Sequence, residues 1–361
     1  MTLAVNLAQG ASNNVTFRNR IINGAMVFDQ RNAGASATNA GTGTYYLDRW
    51  LGSGSVTSKF SVQQNAGAVT PPTGFSNYLG VTSLSAYTVG ASESFLIRQA
   101  IEGFNTADLV FGTASASSVT LSFWVRSSLT GTFGGALYNS GGTRSYPFTY
   151  TISVANTWEQ KSITVAGDTS GTWVGATNGI GLYVSFNLGA GSTVSNTAGA
   201  WATGFYPSAT GAVSVVGTNG ATWYITGTQL EVGSTATSFD YRPYTTELQL
   251  CQRYYYKIKA DSGSSMFGSG YNYSGTQALG LIKFGVTMRI TPTALEQNGT
   301  AGDYRVFVAG SAVTCTGVPT YDGACAESAD VQFNTTGLTA GQGIFIRATN
   351  SNAYLAWSAE L

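Results

Sequence analysis

The feature that most constrains this chain is the period at which its apolar residues return. In Val119–Val125 the residues Val119, Leu121, Phe123 and Val125 alternate with Thr120, Ser122 and Trp124. In Ile180–Leu188 the set Ile180, Leu182, Val184, Phe186 and Leu188 alternates with Gly181, Tyr183, Ser185 and Asn187. Ile282, Phe284, Val286, Met288 and Ile290 repeat the pattern further on. Successive side chains of a strand point to opposite faces, so a period of two buries one face and wets the other. The spacing of three and four that a helix needs is nearly absent. Between the runs lie Gly52–Ser55, Asn139–Thr143 and Gly189–Asn196, which read as turns and loops. Many strands separated by turns predict an all-β chain built as an antiparallel sandwich or jelly roll.

One segment departs from this pattern. Arg242-Pro243-Tyr244 is followed by Thr245-Thr246-Glu247-Leu248-Gln249-Leu250-Cys251-Gln252-Arg253, where Thr246 and Gln249 have capping-box spacing and Leu, Gln and Glu favour helix. The expectation is a helix of two to three turns over Thr246–Arg253, marking a junction. The domain reading is an arm over residues 1–17, a jelly roll over 18–244, a linker helix over 245–254 and a smaller β domain over 255–361.

Composition narrows the function. Of 361 residues only 9% are charged, with 17 Lys plus Arg against 17 Asp plus Glu and no histidine. Without histidine there is no imidazole base, no Ser-His-Asp triad and no His metal ligand. Zero net charge and the lack of a basic cluster argue against nucleic acid, where phosphate neutralisation dominates affinity. No apolar run reaches the roughly 18 residues of a spanning helix, so no membrane insertion is expected. The start MTLAVNLAQGASNN lacks a basic segment ahead of an apolar one, so no cleaved signal is expected. A surface of Ser, Thr, Asn and Gly in place of Lys and Glu suits a protein held in a permanent assembly.

Three stretches carry a resemblance. They are Arg18–Arg31 with Tyr45–Trp50, then Val119–Arg126 with Asn156–Val165, then Trp223–Gly233 running on to Phe239–Tyr244. In that order they resemble the jelly-roll domain of bacteriophage tail-fibre and related virion proteins, itself similar to carbohydrate-binding modules of the jelly-roll type. Glu247–Tyr256 also looks like those proteins, in which a second β domain commonly follows, and residues 259–361, with the ending Ala-Trp-Ser-Ala-Glu-Leu, resemble their C-terminal domains in character. The resemblance implies a virion protein, made in the host cytoplasm and displayed on the particle. It implies a homo-oligomer, preferably a trimer, tethered to tail or capsid proteins through the N-terminal arm and contacting a host-surface glycan. Tyr254-Tyr255-Tyr256, three rings in a row, adds a physical motive for buried surface between subunits. A purely structural virion protein and a glycan-degrading spike are the alternatives.

Sugar binding needs an exposed aromatic face with polar side chains nearby. Tyr271, Asn272 and Tyr273 on a Gly-rich stretch are the leading candidates, with host recognition in the C-terminal domain; Trp173 and Trp201, in loop-like contexts, come next. Trimer packing competes with sugar contact at each. Glycan cleavage would need paired carboxylates, and the acids are scattered apart from Glu327 and Asp330, so no catalytic residue is assigned and the chain reads as a non-enzyme. No cofactor and no metal are expected. Cys315 and Cys325 could close a small disulfide or remain free thiols, and Cys251 reads as a buried hydrophobe. Trp158 reads as a buried residue, and Glu231 as a structural partner of Arg49 or Arg242.

Overall fold

The computed structural model describes residues 18–361 except Thr42; the expected attachment arm over residues 1–17 lies outside the described residues. Two compact units divide after Pro243, the first joined by Leu361 and the second running Tyr244–Glu360.

The first unit is an antiparallel sandwich of jelly-roll type. One sheet runs, edge to edge, Ala37–Thr38, Phe60–Gln64, Leu79–Ser83, Thr222–Val232, Val119–Ser127 and Glu159–Val165. The other runs Ala202–Thr203, Arg144–Ile152, Gly131–Tyr138, Ile180–Ala190, Ser94–Glu102, Trp50–Gly54 and Thr44–Leu47. The alternation places the core. Val119, Leu121, Phe123 and Val125 are fully buried on the inner face of one sheet, as are Leu182, Val184, Phe186 and Leu188 on the other. Phe123 meets Phe186 edge-on at 5.0 Å and Tyr150 at 5.1 Å, so rings from facing sheets interlock. Each such side chain contributes about 1.5–3 kcal/mol of transfer free energy.

Two turn readings change. Gly52–Ser55 belongs largely to the buried strand Trp50–Gly54. A Cβ at Gly52 would collide with the Tyr46 ring, so this glycine answers a close approach and not a turn. The second inner strand runs on to Ala190 before a turn at Ser192–Val194. Asn139–Thr143 is a turn, with Asn139 Oδ1 accepting the amides of Thr143 and Arg144.

The second unit opens with the helix Tyr244–Gln252, on which Cys251 is buried. A three-stranded sheet comes next, ordered Tyr255–Lys259, Tyr354–Ser358, Glu296–Gln297. A seven-stranded sheet runs Ser311–Thr314, Tyr304–Val308, Gly343–Ala348, Met266–Asn272, Gln277–Lys283, Ser328–Asn334, Thr320–Ala324. The alternating Ile282–Ile290 segment is strand only as far as Lys283. Past it the amides of Phe284, Met288 and Arg289 bond to Glu327, Ala326 and Arg253, so the chain has left the ladder. Tyr254 and Tyr255 are buried and Tyr256 packs on Phe284 at 5.1 Å, so this chain covers its own tyrosine run.

Candidate functional site

The strand Ser94–Glu102 turns Phe95, Ile97 and Ile101 into the core and Leu96, Arg98 and Ala100 to the outer face. Pairing sets Arg98 between Leu51 and Ser185, and Tyr183 between Ala100 and Tyr138, while Tyr45 lies opposite Leu51. Register alone thus gathers Tyr45, Arg98, Tyr138 and Tyr183 on one outer face. Tyr138 and Tyr183 stack at 4.8 Å. The Arg98 guanidinium sits 4.8 Å from the Tyr183 ring centre, and its Nη1 donates to Tyr138 Oη at 3.0 Å. Phe205, 37% exposed, stands edge-on to Tyr138 at 5.3 Å. Arg31 lies 5.4 Å over the Tyr45 ring.

The electrostatics suit this frame. Burial works against the Arg98 charge, but the Tyr138, Tyr183 and Tyr45 phenols outweigh it and raise its pKa. Burial raises the Tyr138 and Tyr183 pKa values despite the Arg98 charge, so both phenols keep their protons at neutral pH. Arg98 forms no ion pair among the described residues, and its Nε is buried without a hydrogen-bond partner. Tyr138 is buried, so the face offers the half-buried Tyr45 and Tyr183 rings beside a cation whose Nη2 has no protein partner among the described residues.

The structure brings Trp173 and Trp201 together, though not as a platform. Their rings meet at 5.4 Å, Phe111 packs on both at 4.9 and 5.8 Å, and Tyr146 closes on Trp201 at 5.4 Å. Each indole N–H is already donated, Trp173 to the Ser170 carbonyl and Trp201 to that of Ala166. The cluster seals one end of the sandwich core. A cleft beside Trp173 holds only about 70 Å³, far below the several hundred Å³ of a ligand pocket.

Tyr271, Asn272 and Tyr273 do not share a loop. Met266–Asn272 is a strand, and Tyr273 opens the hairpin after it, donating its N–H to Gln277. Alternation puts Tyr271 and Tyr273 outside, 47% and 61% exposed, and Asn272 inside, where its Nδ2 donates to the Thr339 carbonyl. Asn272 anchors the strand and touches no solvent. Tyr271 joins an apolar sheet face: Phe307, Phe345, Ser269, Leu281 and Asp330 lie opposite one another in a row, and Leu279 flanks Tyr271. Phe345, Leu281 and Met266 are exposed there, and Arg347 lies 4.3 Å over the Phe307 ring.

Cys315 and Cys325 are both free thiols, the first buried and the second exposed. The amide after Cys315 bonds to Asn334 at one end of Ser328–Asn334, and that of Cys325 to Ser328 at the other. Such a strand spans about 20 Å, whereas bridged Cα atoms lie within about 7 Å. Glu231 is buried, but its partners are Thr237, Gln229 and Arg18, not Arg49 or Arg242. Trp158 is half-buried, its indole donating to Thr70 and packing on Tyr78. Sequence reading does not single out Arg98. Its signal was a lone charge inside the apolar stretch Phe95-Leu96-Ile97-Arg98-Gln99-Ala100-Ile101.

No family model matches the chain, and no curated protein matches it. Among solved structures it is similar to the enzymatically active domain of tailspike protein 4 of bacteriophage CBA120, at 12% identity and TM-score 0.33, covering 60% of this chain and 21% of that one. A putative sugar-binding protein from Bacteroides thetaiotaomicron matches at 10% identity and TM-score 0.35, covering 60% of this chain and 100% of the other. A family 11 carbohydrate-binding module from Clostridium thermocellum, in complex with a mixed-linked tetrasaccharide, matches at 9% identity and TM-score 0.28, covering 57% and 98%. At these scores the likeness says nothing about what this chain binds.

Proposed function

We propose that this chain is a virion adhesion module, of tail-fibre type, that holds a host-surface glycan without cleaving it. The observation that carries the binding reading is the outer sheet face on which the half-buried Tyr45 and Tyr183 and the exposed Phe205 lie about Arg98 and the buried Tyr138. Sugar rings stack on aromatic faces through C–H groups, while guanidinium donors take their oxygens. A single ring contributes on the order of 1 kcal/mol, so one site is weak and a multivalent assembly gains by avidity. The non-cleaving part rests on how the carboxylates are used. Asp108 pairs with Arg20, Asp168 with Arg144 and Glu159 with Lys161, while Glu231 is taken by Thr237 and Gln229, leaving none of these four for acid–base work.

The apolar face around Tyr271, Phe345 and Leu281 is read as the contact for a second copy. Six inter-strand spacings by a strand length give a sheet face of about 600 Å² in projection, which a three-fold arrangement divides between two neighbours. Charge favours self-association: Arg305 and Arg347 lie toward one edge, Asp330 and Asp322 toward the other, with Lys283 at a strand end. Around a three-fold axis the basic edge of one face meets the acidic edge of the next.

A glycan array on the purified chain, with mass measurement of the exposed glycans, tests the function. The expected result is retention of glycans with unchanged masses. Shortened products would replace the reading with a glycan-degrading spike, and no retention would leave a structural virion protein.

A further inference from the structure

We infer that the glycan held at the Arg98 face carries an anionic group, a carboxylate or a sulfate, which completes the arginine's coordination. This rests on the binding reading above and adds the charge class of the ligand.

The contrast with other arginines of the same unit carries the inference. Arg20 grips Asp108 through both Nη atoms at 2.7 and 2.6 Å. Arg144 grips Asp168 through Nε and Nη2, both at 2.7 Å. Arg18 approaches Glu231 and Asp240, each at 3.9 Å. Arg98 has no such partner. It donates Nη1 to a neutral phenol, sets its guanidinium carbon 4.8 Å from the Tyr183 ring centre and leaves Nη2 without a protein partner among the described residues; its buried Nε is unbonded, as are those of Arg18 and Arg20. A half-buried cation without a counter-ion is costly to keep, and arginine does not shed its proton to escape that cost. Arginine is always protonated and presents donors in a fixed fork matching the two oxygens of a carboxylate or the edge of a sulfate. Charge-assisted bonds of this kind are roughly twice as strong as those to a neutral hydroxyl. The half-buried Tyr183 ring beside the guanidinium supplies stacking surface for the sugar that bears the anion.

The test uses the full chain and probe pairs that differ in charge, in one anionic sugar or in one anionic group. These are trigalacturonate and its trimethyl ester, 3′-sialyllactose and lactose, and a 6-sulfated and an unsulfated N-acetyllactosamine. Titration calorimetry at low and at physiological salt reads the affinities. At least one anionic member should bind tenfold or more tighter than its neutral partner, with the gap narrowing as salt rises. Arg98→Gln should close that gap while keeping the melting temperature, and Arg98→Lys should retain part of it. Equal affinity within every pair, unchanged by Arg98→Gln, overturns the inference and leaves the glycan reading standing. Binding to no probe, and to nothing on the array, overturns both.

Discussion

The three cysteines occupy different environments, and their reactivity should separate them. Cys251 and Cys315 are buried, and burial pushes the Cys315 thiol up to about 12. Cys325 is exposed, and hydrogen bonds from Ser328 and the Glu327 amide hold its pKa below the usual value. Iodoacetamide at pH 8 should therefore label one thiol in the native protein and all three after denaturation, counted by mass; labelling of Cys315 in the native state would refute the packing. Asp108 offers a pH test. The hydrogen bonds from Arg20 hold its carboxyl below the ordinary value of 3.8. A depressed carboxyl contributes stability that is present above the ordinary value and lost as pH falls through the lower folded value. Since Asp108 is 56% exposed, solvent screening leaves the effect at under about 1 kcal/mol. The wild type should lose its advantage over Asp108→Asn as thermal melts move from pH 5 to pH 2, and an unchanged difference would sink the assignment. At this scale the sequence spoke unevenly. That Cys251 would be buried was readable from its place on the helix, whereas Asn272 shows what alternation alone can correct: between two exposed tyrosines it must point inward. The Arg98 frame could not be read, since its members come from separate strands that only the sheet register aligns.

Among the elements, the long strand Thr222–Val232 shows how a sequence can announce a defect. Trp223 and Ile225 face the core at odd positions, then Leu230 does so at an even one. The phase slips between Thr226 and Gln229, where pairing with Val119–Ser127 shifts register, and Gly227 there has φ +60°. A bulge needs such a residue, and a Cβ at Gly227 would stand 2.6 Å from Phe75 Cζ. Gly227→Ala should cost about 1–2 kcal/mol from backbone strain alone, read as a lower urea midpoint at constant slope. A midpoint equal to wild type would mean the strand pairs without the bulge. The helix was legible because its cap and its helix-forming residues agree, and it spans Tyr244–Gln252, close to the expected Thr246–Arg253. Ile282–Ile290 misled because spacing of two reports alternate burial, not pairing. Phe284 and Met288 are buried, but their amides bond to the Glu327 and Ala326 carbonyls outside any strand ladder.

For the molecule as a whole, the proposed assembly gives the most direct prediction. Light scattering at micromolar concentration should return a multiple of 37.6 kDa, three-fold by preference, and Leu281→Asp with Phe345→Asp should return single chains that keep their β-rich circular dichroism. A stable single chain in the wild type would end the reading of that sheet face as an interface. The strand-and-turn class of the fold was readable across the described residues, because a period of two survives even where individual turns were misplaced. The sheet edges of the first unit carry a further consequence. Two of the four outermost strands, Ala37–Thr38 and Ala202–Thr203, are two residues long, and a third, Thr44–Leu47, is four. So brief a ladder offers an incoming strand almost nothing to zip onto, and the fourth edge, the seven-residue Glu159–Val165, carries the charges of Glu159 and Lys161 instead. Most proteins keep apart by like-charge repulsion, which vanishes at the isoelectric point and in concentrated salt. This one has a formal charge of zero and an isoelectric point near 6.3, so its colloidal behaviour should be set by edge geometry: solutions at pH 6.3 in molar salt should stay as clear as those at pH 8 in dilute buffer, which suits copies crowded side by side on one surface.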